Sequence, residues 1–319
     1  MYEFDKGINI VLAADDNYSS HLGVTLISLL DNFQDQRLLF IHILSDGISK
    51  KNLENLKLVG EKKNVYLFFY ELTSDLLSAC PEVNHLSRTS YARLFIAELL
   101  PPAIEKIIYL DSDIIVLGNI AELYDQDLRG FPLGAVADVM SKEILRIFFY
   151  HGLTNYFNAG VLVINLSLWR QMAVEERAKA FIKKYFKNMI RADQDILNCL
   201  FINNWELIDN RFNFDAKRKF FDKLPPSNTL ILHYSDKIKP WHYLFIGISS
   251  RYYFYYREKT PWKKFDFKDK NLINFFKKYL LFIFKKIKLL LIPIFPTIYL
   301  DLYRYLLWKT YKVEINKKK

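Results

Sequence analysis

Asp111 and Asp113 stand one residue apart in the run Tyr109-Leu110-Asp111-Ser112-Asp113-Ile114-Ile115-Val116. Apolar and aromatic residues lead in and β-branched residues follow. The pattern predicts a buried strand that ends by presenting both carboxylates toward the same side. Two carboxylates so placed repel each other unless a cation joins them. A hard divalent ion that takes oxygen ligands, and keeps phosphate oxygens among them, fits such a pair. A solvated Asp-Ser-Asp turn is the alternative that the pair alone leaves open.

The flanking elements decide where the pair sits. Residues 8–14 read as a first buried strand, followed by the polar loop Asp15-Asp16-Asn17-Tyr18. Apolar residues recur at helical spacing from His21 to Leu30. A second strand runs from Leu38 to Leu44, with a turn at Asp46-Gly47. Residues 49–59 predict an amphipathic helix and Val65 to Tyr70 a third strand. A helix from Ser90 to Leu100 stops at Pro101-Pro102, and Ile107 to Leu110 forms the strand that enters the Asp pair. Alternating strand and helix predict an α/β fold, a mainly parallel sheet with helices on both faces. Such sheets bind ligands at the carboxyl ends of their strands, so the Asp15 and Asp111 loops should share that edge. The chain has only ten glycines, no Gly-x-Gly-x-x-Gly and no Walker phosphate loop. Phosphates must then be held another way, and a metal on the Asp pair does so.

At 319 residues, half of them hydrophobic, the chain can bury a full core as one large domain or one domain plus an appendage. Cys80 and Cys199 form no Cys-x-x-Cys pair and sit in apolar, helical context, which predicts free buried thiols in a reducing compartment. Met1 to Asp5 carries neither a basic n-region nor an apolar h-region, so no secretory signal is expected.

The net charge of +10 is unevenly placed: residues 251–319 hold 18 Lys+Arg against 5 Asp+Glu, and the rest hold 27 against 30. A near-neutral body is not one built to grip nucleic acid. The expected organisation is a catalytic domain over 1–250 and a basic, aromatic segment over 251–319. From Trp262 onward, lysine pairs alternate with Phe, Leu, Ile and Tyr. The longest uncharged run, Leu289 to Leu300, has twelve residues and two prolines, too short to span a bilayer. Basic amphipathic segments of this kind suit an anionic membrane surface. C-terminal helices packed on the body, or an oligomer contact, are the alternatives.

Seven blocks appear in order: Ala13-Ala14-Asp15-Asp16-Asn17-Tyr18, Thr89-Ser90-Tyr91-Ala92-Arg93-Leu94, Tyr109-Leu110-Asp111-Ser112-Asp113, Tyr156-Phe157-Asn158-Ala159-Gly160-Val161, Asp193-Gln194-Asp195-Ile196-Leu197-Asn198, Arg211-Phe212-Asn213-Phe214, and His233-Tyr234 with Lys239-Pro240-Trp241-His242. Over roughly residues 8–242 the chain resembles glycosyltransferase family 8, and within it the lipooligosaccharide and lipopolysaccharide α-galactosyltransferases.

The resemblance implies a Rossmann-like nucleotide-binding domain of the GT-A type. It implies a retaining hexosyltransferase that uses a UDP-sugar, galactose favoured over glucose, and a lipooligosaccharide or lipopolysaccharide core acceptor. Asp111, Asp113 and His233 would hold the metal. Mn²⁺ accepts imidazole beside carboxylate, whereas Mg²⁺, which remains possible, favours oxygen. Asp15 and Asn17 would read the uracil edge and ribose, and Tyr18 would stack on the base. Lys239 would pair with a diphosphate oxygen. Arg93, Asn158 and Asp193 would bond sugar hydroxyls, with Ala13, Ser112 and Ala159 completing the donor set.

Gln194 would lie beneath the anomeric carbon. It cannot ionise and is a poor nucleophile, so retention is expected through front-face attack, with the leaving diphosphate taking the acceptor proton. His85 and Asp138 match acceptor-side positions. Asp236 stands where the family has Gly, and its carboxylate would oppose the diphosphate unless it points away. The expected workplace is the cytoplasmic face of the bacterial inner membrane, held peripherally by the basic segment. Rival readings are a glucosyltransferase, a transferase that glycosylates tyrosine, its own included, and a non-catalytic nucleotide-sugar-binding membrane protein.

Overall fold

Long aliphatic runs become strands buried on both faces, and these build the platform for the Asp pair. The computed structural model describes residues 2–62, 64–77, 80, 88–138, 155–185, 191–216, 224–267 and 269–291. Strands β1 (Ile8–Asp15) and β2 (Leu39–Asp46) are buried along nearly their whole length, as expected of central parallel strands. Strand β3 (Val65–Glu71) lies at the edge and is half-exposed. With β4 (Lys106–Leu110), β6 (Leu133–Ala137), β7 (Phe157–Asn165) and β8 (Glu206–Leu207) they form a seven-stranded sheet in the order β3-β2-β1-β4-β7-β6-β8. Pairing is parallel from β3 to β4 and between β6 and β8, and only β7 runs against both of its neighbours. A second sheet of β5 (Ile114–Val116), β9 (Phe214–Asp215) and β10 (Ile231–His233) has the order β5-β10-β9.

Helix α1 (Ser19–Asn32) follows the polar loop and α2 (Lys50–Gly60) follows β2, as the periodicity predicts. Ser49 caps α2 by accepting from Asn52 N. The helix expected over Ser90 to Leu100 takes another form: a 3-10 helix over Arg88–Phe95 leads into a short α-helix over Ile96–Leu99. Every residue from Tyr91 to Ile96 is buried, so no exposed stripe supports a 3.6-residue period and tertiary packing sets the winding.

The chain divides into two compact units: residues 1–240 with 247–265, and residues 241–246 with 266–319. The charge-based boundary at 250 coincides with the first residue of the helix Ser250–Arg257, whose Tyr253 and Tyr256 are buried within the first unit. In the second unit Tyr243 N donates to Asp269 Oδ1 at 2.9 Å, and the Lys278 ammonium lies 4.3 Å from the Tyr243 ring centre. Its helix, Leu272–Leu291, is amphipathic, with Leu272, Ile273, Phe276 and Tyr279 exposed. Among the described residues no helix is long and apolar enough to cross a membrane. The uncharged run beyond Leu291 lies outside the described residues.

Candidate active site

Strand β4 delivers Asp111, whose N–H donates to Gly160 O of β7 at 2.9 Å. Strand β5 begins just after Asp113 and pairs antiparallel with β10 in the register Ile114↔His233. That register sets the imidazole beside the two carboxylates although 120 residues separate His233 from Asp113 in the chain. His233 Nε2 is 3.2 Å from Asp113 Oδ1 and 3.8 Å from Asp111 Oδ2. One ligand atom from each of the three residues falls within 4.8 Å of the others.

The imidazole is oriented from behind. Asn213 Nδ2 donates to Asn158 Oδ1 at 2.9 Å, and Asn158 Oδ1 also accepts from Gly160 N at 2.9 Å. Asn213 therefore turns its own oxygen to His233 Nδ1, 2.9 Å away, where it accepts the ring proton. This leaves the Nε2 lone pair for the carboxylate side, the arrangement that metal-binding histidines use. Burial opposes a charge on His233, but Asp113 and Asp111 raise its pKa above the ordinary value. Burial likewise opposes ionisation of Asp113, yet Lys239 and His233 hold its carboxyl well below the usual range.

A cation fits this donor set. Asp113 Oδ1 is buried without a hydrogen-bond donor, which is costly unless a cation meets it. Gly160 makes room: a Cβ there would lie 2.6 Å from Asp111 Oδ2 and collide with the His233 ring. Glycine in a buried strand often marks such a close approach.

On the sugar side, Arg93 is buried with its Nη2 2.7 Å from Asp111 Oδ1 and its Nε 2.8 Å from Asp193 Oδ2. Its Nη1 donates to Ala159 O, and its guanidinium lies over Tyr109 at 4.5 Å. One arginine thus ties a metal-side carboxylate to Asp193. Burial lifts the Asp193 carboxyl to about 6, with Arg93 pulling the other way. Asp193 and Gln194 open the helix Ala192–Leu200, and Ala192 holds the left-handed conformation at φ 47°. Asn198 pins this helix to β7, accepting from Phe157 N at 2.8 Å and donating to Phe157 O at 3.0 Å.

Gln194 Oε1 accepts from Ala159 N at 3.0 Å, and its Nε2 reaches Asp138 Oδ2 at 3.4 Å. Asp138 in turn holds Arg191 Nη1 at 2.6 Å, so it stands beside Gln194. His85 lies outside the described residues.

The donor loop follows β1. Asp15 Oδ1 accepts from Tyr18 N at 2.8 Å, closing an Asx-type turn. Asn17 is exposed, and Tyr18 is near enough to the cluster that burial, then Asp113, raises its phenol pKa. Ser112 Oγ donates to Ala13 O at 2.6 Å, which clamps the two loops together rather than freeing either group. Lys239 Nζ bonds Asp113 Oδ2 and Tyr234 O, each at 2.6 Å. Asp236 Oδ1 accepts from Lys237 N at 2.8 Å, so that oxygen is engaged within its own turn.

The structure thus gathers Asp111, Asp113, His233, Arg93, Asp193, Gln194, Asn158, Ala159, Lys239 and the Asp15–Tyr18 loop at one edge of the sheet. Asn213 and Gly160 stand in the quoted sequence blocks without an assigned role, and Arg191 was not singled out from sequence. Gly160 carried a signal, a glycine inside a buried strand. Asn213 stands in the block Arg211-Phe212-Asn213-Phe214, but only the pairing of β9 with β10 shows that it lies behind His233.

Comparison with known proteins agrees with this geometry. The profile of Glycosyl transferase family 8 matches residues 9–244. The chain is 28% identical over 273 residues to General stress protein A of Bacillus subtilis, covering 81% of this chain and 96% of that one. It is 28% identical over 285 residues to Lipopolysaccharide 1,2-glucosyltransferase of Escherichia coli, covering 85% and 84%. The crystal structure of the galactosyltransferase LgtC in complex with donor and acceptor sugar analogs superposes with a TM-score of 0.71 at 28% identity, covering 80% of this chain and 96% of that one. The sheet is accordingly of the GT-A type expected. A profile match that spans nearly the whole sheet and takes in Asp111, Asp113 and His233 establishes that the chain belongs to glycosyl transferase family 8.

Proposed function

We propose that this chain is a metal-dependent, retaining hexosyltransferase that moves galactose from UDP-galactose to a lipooligosaccharide or lipopolysaccharide core. The observation that carries the reading is the Asp111–Asp113–His233 cluster, with its tautomer fixed by Asn213, coupled through Arg93 to Asp193 and the neighbouring Gln194. The likeness to a galactosyltransferase solved with donor and acceptor sugar analogs favours galactose. The likeness to a lipopolysaccharide 1,2-glucosyltransferase supports the core acceptor and makes glucose the second reading.

Asp111, Asp113 and His233 would hold the cation, and their mixed oxygen and nitrogen set favours Mn²⁺ over Mg²⁺. When bound, it supplies Lewis-acid stabilisation of the departing diphosphate. Lys239 adds a mobile positive charge there, exchanging Asp113 for a diphosphate oxygen. Tyr18 and the Asp15–Asn17 turn seat the nucleoside. Asp193, ionised at neutral pH, and Arg93 orient the hexose hydroxyls. Gln194 is held by Ala159 N and Asp138 as a fixed dipole, which would lie beneath the anomeric carbon of the bound hexose. The acceptor hydroxyl attacks from the face the diphosphate leaves and gives it the proton. Incubation of UDP-galactose with a truncated core acceptor should yield an α-linked product by NMR. A β-linked product contradicts retention.

The chain works, in this account, at the cytoplasmic face of the bacterial inner membrane. The apolar residues exposed on the helix Leu272–Leu291 and its lysines suit anionic lipid. Removal of residues 272–319 should release the protein from anionic vesicles in sedimentation. Undiminished binding would contradict the localisation.

A further inference from the structure

We propose that residues 250–262, a short helix and turn near the end of the first compact unit, form a strap that positions the donor loop Asp15–Tyr18, with Trp262 as its principal positioning residue. The inference rests on the reading of that loop as the nucleoside site. Trp262 lies against α1 where Gly23 leaves a notch: a Cβ on Gly23 would stand 3.0 Å from Trp262 Cε3 and closer still to the next ring carbon. From there Trp262 Nε1 donates to Asn52 Oδ1 at 3.1 Å. Asn52 spends its amide on the loop, donating from Nδ2 to Asp16 Oδ1 at 2.7 Å. Asp16 Oδ1 also accepts from Ser49 N at 2.8 Å, and these bonds hold its carboxyl below the ordinary range. A line of direct contacts therefore runs from the indole to the middle of the donor loop.

A second arm meets the loop from its other end. Tyr253 OH is 2.6 Å from His21 Nδ1 and accepts from Arg257 Nη1 at 2.8 Å. The His21 ring meets the Tyr18 ring edge-on with centroids 5.4 Å apart. Tyr256 OH accepts from Asn32 Nδ2 at 2.7 Å, which fastens the strap to the far end of α1. The strap thus touches the neighbours of Asp16 and of Tyr18 while contributing no group to the metal cluster. Its loss should loosen nucleoside binding and leave metal binding alone.

Trp262→Phe removes the indole N–H and keeps a ring over Gly23, whereas Gly23→Ala displaces the ring by steric contact. Both should weaken UDP binding by calorimetry roughly 3- to 10-fold, the worth of one or two hydrogen bonds. Mn²⁺ affinity without nucleotide and kcat at saturating donor should stay within about twofold of wild type. In an Asn52→Ala background Trp262→Phe should add nothing further, because the contact it removes is already cut. The amide of Tyr18 should exchange faster in Trp262→Phe before any nucleotide is added. Unchanged UDP affinity in both variants, an equal loss of Mn²⁺ affinity, or additive effects with Asn52→Ala would overturn the strap. Tyr18→Ala separates the two claims: if it binds UDP as tightly as wild type, the nucleoside reading itself fails and the strap falls with it.

Discussion

Replacing Gly160 by Ala should dismantle the metal site while leaving the fold intact. The added Cβ would lie 2.6 Å from Asp111 Oδ2 and against the His233 ring. A relaxed carbon–oxygen contact is roughly 3.3 Å or more, so the deficit is about 0.7 Å. Neither neighbour yields easily. Asp111 is held by Arg93 and Tyr109, and His233 is buried and fixed by Asn213. Ligand distances tolerate only about ±0.2 Å, so at least one ligand leaves its place. The expected loss in Mn²⁺ affinity is about 10- to 100-fold, or roughly 1.4–2.7 kcal/mol. Gly160 sits in a strand at negative φ, where alanine lowers the entropy of the unfolded chain and costs nothing in backbone strain. The collision itself is an overpacking that costs about 1–3 kcal/mol, so thermal stability without metal should drop by several degrees while the fold persists, and activity should return at high Mn²⁺. Mn²⁺ affinity within twofold of wild type would refute the close-approach argument.

Three further outcomes are expected. Asn213→Ala frees the His233 ring and should lower Mn²⁺ affinity by about tenfold or more, read by electron paramagnetic resonance of free Mn²⁺. Burial raises the Asp193 carboxyl to about 6, so the fraction able to pair with Arg93 as an anion grows as pH rises through that value. Activity at saturating metal should fall on the acid side of about 6, and Asp193→Asn should be low and flat there. Gln194→Ala should keep measurable turnover, because the side chain steadies charge rather than forming a bond; a trapped Gln194–sugar adduct in mass spectrometry would reverse that assignment.

Strands β1, β2 and β4 were legible because buried strands read as continuous aliphatic runs, and the edge strand β3 through its β-branched and aromatic residues; the observed ends fall within a residue or two of those expected. The Asp pair was legible for the same reason: it breaks such a run at its carboxyl end. The reversed strand β7 was not, because strand direction leaves no mark on an apolar run such as Val161 to Ile164. The 3-10 winding of Arg88–Phe95 was hidden since its residues from Tyr91 onward are all buried and leave no exposed stripe to set a period. His233 was recognised through its sequence block, but nothing local tells that β10 pairs with β5 and sets it beside Asp113. Residues 251–265 looked like the start of a basic tail by charge. Tyr253, Tyr256 and Trp262 instead pack within the first unit, which composition cannot separate from an interfacial stretch.

The central claim is turnover of a UDP-hexose at the Asp111–Asp113–His233 site. UDP release from UDP-galactose and UDP-glucose, measured side by side with Mn²⁺ or with EDTA and a truncated core acceptor, tests it most directly. Release should require Mn²⁺, be faster with UDP-galactose and be stimulated by the acceptor. Absence of release from both donors with Mn²⁺, or equal release in EDTA, would contradict it.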